Sequence, residues 1–85
     1  MNNKLEILRK KLVYRAGYRG TKEMDILLSS FVNKNINNFD EKLLFELDKF
    51  LNFEDDIILN YYNNDISADN IDKNTIAKIF RDFKL

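Results

Sequence analysis

Both glycines of this 85-residue chain, Gly17 and Gly20, stand three positions apart, and proline is absent. Glycine and proline are the strongest local breakers of regular backbone, and a fold of many short strands needs them at turn after turn. A chain that keeps its only two glycines in one place is confined to helices joined by polar turns. The spacing of the apolar residues agrees.

Leu5, Leu8 and Leu12 mark one face of a first helix, expected from about residue 3 to residue 16, with Gly17 as its C-terminal cap. Thr21 is placed to cap a second helix, with Glu23 and Asp25 in the first turns, where negative charge suits the positive end of the dipole. Its stripe, Met24, Leu27, Leu28, Phe31 and Val32, follows the i, i+3, i+4, i+7, i+8 pattern of an amphipathic helix. The Asn-rich "NKNINN" ends that run. Asn38 and Glu41 have the spacing of a capping box for a third helix with the stripe Leu43, Leu44, Leu47, Phe50 and Leu51. A fourth helix is expected from the acidic turn Glu54-Asp55-Asp56, with Ile58, Tyr61 and Tyr62 on one side. "NNDISADNIDKN" reads as a loop, and a fifth helix carries Ile76, Ile79, Phe80 and Phe83. Each helix is apolar on one side and must bury that side against the others. The expected fold is all-α, a compact bundle of about five short helices, in a single domain spanning 1–85.

The residue inventory narrows the chemistry. With no cysteine there are no disulfides, no thiolate nucleophile and no cysteine-bound zinc. With no histidine the commonest general base and metal ligand are also missing, so an enzyme is not expected. No uninterrupted apolar run approaches the roughly 20 residues of a membrane-spanning helix, so no membrane insertion is expected and the expected compartment is the bacterial cytoplasm. Formal charge sums to zero but is unevenly distributed. Residues 1–22 hold seven Lys/Arg against Glu6 alone, a balance of +6, and residues 23–85 hold seven against thirteen Asp/Glu, a balance of −6. A basic end of this kind steers toward an acidic partner surface. It does not suit a helix-turn-helix DNA reader, whose second and third helices would here be acidic, and nucleic acid is not an expected partner.

The glycines lie in "YRAGYRGTKEMDILL", residues 14–28, together with Arg15, Arg19, Lys22, Glu23 and Asp25. Gly20, just before the helix cap, either holds a positive φ or lets another backbone approach where a Cβ would collide. Helical geometry sets Glu23 and Asp25 on opposite flanks of the buried stripe and turns Ile26 outward. Arg19 is one turn ahead of Glu23, within reach of it as a surface ion pair or free to recognise carboxylates and carbonyls of a partner in a forked manner. Tyr14 and Tyr18 offer rings on which an arginine can stack. Arginine, glycine, tyrosine, carboxylate and an exposed apolar neighbour together have the composition of a protein-binding patch.

"YRGTKEMDILL" resembles the Arg-Gly-x-x-Glu signature of the SdhE-like flavinylation factors, the assembly factors of the succinate dehydrogenase flavoprotein. The resemblance extends to Arg15 upstream, to Met24-Asp25 and the leucine pair after the glutamate, to Phe31, and to a succession of five helices over residues 4–80. It departs in the fourth helix, where the family shows an Asp-Pro-Asp-like turn followed by a Trp and this chain has Asp55-Asp56-Ile57 and Tyr61. The resemblance implies binding to the flavoprotein subunit of succinate dehydrogenase, and of the related fumarate reductase, with promotion of covalent FAD attachment to that subunit. FAD then belongs to the client, and the factor binds no cofactor or metal tightly and acts as a monomer. It further implies that Arg19, Gly20 and Glu23 form the contact patch, supported by Arg15, Tyr18 and Asp25. Two other readings are compatible with the residues alone: a small antitoxin-like or regulatory protein-binding module, and a direct flavin carrier.

Overall fold

The computed structural model describes residues 3–85; Met1 and Asn2 of the expected domain lie outside the described residues. Five helices follow one another: α1 (Asn3–Ala16), α2 (Lys22–Asn35), α3 (Glu41–Phe50), α4 (Asp55–Asn64) and α5 (Thr75–Arg81). One-turn 3-10 segments at Ile36–Asn38 and Ile71–Lys73 precede α3 and α5, and there is no strand among the described residues. The all-α expectation holds.

The local signals explain most of the boundaries. Thr21 is extended at φ −128° and its side chain accepts from the Met24 amide, the N-cap arrangement expected of it. All five stripe residues of α2 are buried. α1 packs on α2 and α3, while α5 packs on α3 and α4, so both ends of the chain meet at α3. Phe80 is the junction of this core. Its ring lies 5.1 Å from that of Phe31 on α2, 5.3 Å from Phe50 on α3 and 4.7 Å from Tyr62 on α4, all separations in the range of favourable aromatic pairs. Asn74, buried just ahead of α5, accepts from the Ala77 amide at 2.9 Å and donates to the Glu46 carbonyl at 3.0 Å, which caps α5 and ties it to α3 at once.

Three local expectations are corrected. The cap of α3 is Asp40, accepting from Leu43 N–H at 2.9 Å, and not Asn38, which sits in the 3-10 turn that continues α2. Phe39 sets this boundary. It is buried with its ring 6.5 Å from that of Phe31, and it draws the chain into an extended conformation before the next helix can begin. The segment read as a loop contains Ile71, which is fully buried in its 3-10 turn, so a core residue was hidden in a polar stretch. On α5 the inward positions are Ile76, Ala77 and Phe80. Ile79 is exposed, and Phe83 lies beyond the helix end and packs on the core from there.

Phe80→Ala should cost about 3–5 kcal/mol because it empties the point where three helices meet. Ile79→Ala, one residue away but facing solvent, should cost less than about 1 kcal/mol. Urea unfolding of the two variants measures the contrast, and comparable losses would contradict this placement of the core.

Candidate functional site

The signature residues lie in the connection between α1 and α2, at the surface of the bundle. Gly17 closes α1 by donating its amide to Val13 and Tyr14 carbonyls at 3.3 and 3.1 Å. Its φ is outside the left-handed range, and a Cβ there would meet its nearest neighbours at an ordinary 3.7 Å. Gly20 differs. Its φ is +115°, a region that side-chain-bearing residues rarely enter, and a Cβ would find nothing within 4 Å. The positive-φ explanation therefore applies to Gly20, and the space beside it is open.

Arg19 turns away from solvent. Its Nε donates to Asp55 Oδ1 at 2.9 Å, Nη1 to the Leu51 carbonyl at 2.5 Å and Nη2 to the Phe53 carbonyl at 2.6 Å. The side chain is only 11% exposed. Leu51 and Phe53 follow the end of α3 and Asp55 begins α4, so one guanidinium fork closes the elbow between these helices. Carbonyls at a helix C-terminus have lost their intrahelical donors, and the arginine supplies replacements. On the other side of the loop, Asp25 accepts the Arg19 backbone amide at 2.5 Å. Arg15, one turn earlier, repeats the pattern: Nη1 pairs with Asp48 and Nη2 donates to Asn52 Oδ1 at 2.8 Å. Two arginines of the first segment thus clamp the α1–α2 connection onto the α3–α4 elbow.

What remains exposed is Tyr18, Gly20, Glu23 and the neighbouring Tyr14 and Ile26. Tyr14 and Tyr18 stack on each other with centroids 4.4 Å apart. The partner expected for stacking, an arginine, is instead committed to the α3–α4 elbow. Glu23 has no ion-pair partner among the described residues, so the Arg19–Glu23 pair considered from the sequence is replaced by Arg19–Asp55. An open depression of about 600 Å³ runs between Tyr18, Arg19 and residues 51–56. Of the basic first segment, Arg9, Arg15 and Arg19 are paired with Glu6, Asp48 and Asp55. Lys4, Lys10, Lys11 and Lys22 are exposed and carry the outward positive charge.

The six sequence-predicted residues therefore divide. Gly20, Glu23 and Tyr18 present themselves outward; Arg15, Arg19 and Asp25 hold the loop from behind. Sequence reading missed Asp48, Asn52 and Asp55 as members of the same arrangement. The acidic turn was visible as a helix start, but no spacing rule links residue 19 to residue 55, since the pairing exists only once α1 has docked on α3. No group of three or more His, Cys, Asp or Glu among the described residues is arranged to hold a metal ion.

A family of proteins described as "Flavinator of succinate dehydrogenase" matches residues 10–84. The chain belongs to this family. Among curated proteins, the mitochondrial succinate dehydrogenase assembly factor 2 of Scheffersomyces stipitis is 44% identical over 45 residues, covering 53% of this chain and 30% of that protein. The mitochondrial succinate dehydrogenase assembly factor 2-A of Drosophila willistoni is 46% identical over 41 residues, covering 48% of this chain and 26% of that protein. The matched segments thus span less than a third of either relative. No solved structure matches the chain at a significant level. Membership in the flavinator family agrees with the resemblance read from "YRGTKEMDILL".

Arg19→Ala should destabilise the fold by about 2–3 kcal/mol, because it leaves two carbonyls and a carboxylate without their donor in a largely covered site. Arg19→Lys should recover less than half of the loss, since one ammonium cannot reproduce the fork. The shift in denaturation midpoint at constant slope reads both effects.

Proposed function

We propose that this chain is an assembly factor that binds the flavoprotein subunit of succinate dehydrogenase and promotes covalent attachment of FAD to it. The observation that carries the reading is the state of Gly20: held at φ +115° by a braced loop, exposed, with open space beside it and Glu23 one turn on. A glycine that is not covered by its own chain leaves room for the backbone of another. Family membership over residues 10–84 supports the choice of client.

The factor works without chemistry of its own. The chain has no histidine and no cysteine, and the reactive groups, flavin and acceptor side chain, belong to the client. Its contribution is to bind one conformation of the client more tightly than others, which raises the population in which flavin and acceptor are aligned. Gly20, Glu23 and Tyr18 are the contact residues in this reading, with the lysines of α1 favouring approach to an acidic surface. The flavoprotein of fumarate reductase is a second client of the same kind. The factor acts as a monomer, in the cytoplasm of a bacterium, and carries no FAD of its own. No helix among the described residues is long and apolar enough to cross a membrane.

Co-expression of the client subunit with the wild-type chain should give covalent flavin, seen as fluorescence that survives denaturing gel electrophoresis. Glu23→Ala, at an exposed residue without an ion-pair partner among the described residues, should leave helicity unchanged yet reduce that fluorescence at least about tenfold, the loss of one well-placed interaction. Full flavinylation with Glu23→Ala would falsify the contact patch. Titration of the isolated factor with FAD should produce no saturable signal, and a stoichiometric endpoint would favour a flavin carrier instead.

A further inference from the structure

We propose that Asp55 is a positioning residue for client recognition, holding the Arg19–Gly20 loop in the shape that the client reads. The inference rests on the assembly-factor reading and extends it to a residue on α4, far in sequence from the signature turn.

Arg19 poses the problem that Asp55 answers. It is the first residue of the signature, yet its guanidinium is largely covered and three of its nitrogens donate within the chain. A group so engaged acts on a partner through the loop it belongs to. The loop is pinned immediately ahead of Gly20 from two sides, by Asp25 on the Arg19 amide and by the elbow on the Arg19 side chain. Two of the three acceptors on the side chain are backbone carbonyls, which any sequence supplies. Asp55 is the remaining one, and it alone brings a charge and a specific side chain. It also stands in the first turn of α4, where the helix dipole favours a carboxylate. Asp55 is therefore the sequence-encoded element that directs Arg19 to the elbow. A loop held in advance loses less entropy on docking than one that must be ordered by the partner.

The test compares binding of the purified flavoprotein subunit to the full chain and to Asp55→Asn, Arg19→Ala, their double variant and Glu23→Ala. Binding is measured at a temperature where the far-ultraviolet circular dichroism of each variant matches the wild type. Asp55→Asn should weaken binding about five- to tenfold, the range of one charge-assisted hydrogen bond. The double variant should bind no worse than Arg19→Ala alone, because both changes release the same loop. In the free protein, Asp55→Asn should also shift the amide resonance of Gly20, a readout that needs no client. Wild-type affinity of Asp55→Asn, additive losses in the double variant, or an unmoved Gly20 resonance would each overturn the inference. If Glu23→Ala loses binding while Asp55→Asn does not, only this inference fails. If every variant binds as the wild type does, the assembly-factor patch fails with it.

Discussion

The bidentate and more-than-bidentate use of Arg19 fixes how the two halves of the molecule meet. Apolar stripes would bring the α1–α2 hairpin against α3, but burial is non-directional and tolerates rotation and sliding. A planar guanidinium with three acceptors at 2.5 to 2.9 Å tolerates neither. Arg15 adds a second anchor one turn away through Asp48 and Asn52. With these in place the loop has one arrangement relative to the elbow, and the exposed residues it carries have one arrangement relative to each other.

Much of the fold was legible because its helices are amphipathic in the simplest way. Met24, Leu27, Leu28, Phe31 and Val32 could be read as buried from their spacing alone, and Thr21 as a cap from its position before the acidic first turn. The failures occurred where tertiary packing overrides local preference. Phe39 moved the start of α3 past Asn38, Ile71 was buried from within a polar run, and Ile79 lost its inward place to Ala77. The turn between the first two helices lies at the surface, as its charge and glycines suggested. Which of its side chains faced outward was not legible, because the direction of Arg19 depends on acceptors more than thirty residues away.

A molecule of this construction suits a task in which shape matters more than reactivity. The glycine, the glutamate and the tyrosine pair are exposed on the loop and the helix ends it joins, and the lysines of α1 leave a positive charge on the surface beside them. The residues of the signature thus divide between those that are exposed and those that brace. The bracing half of the signature is anchored on α3 and on the start of α4, and the aromatic junction at Phe80 joins α3 and α4 to α2 and α5.

The two glycines, alike on paper, differ in what their backbones permit. At position 17 the backbone is ordinary and a methyl group meets only van der Waals neighbours. At position 20 the backbone itself excludes nearly every alternative, even though the surrounding space would admit them. A side chain at the second glycine would therefore bend the course of the loop without touching a single neighbouring atom, whereas one at the first would rest against ordinary neighbours.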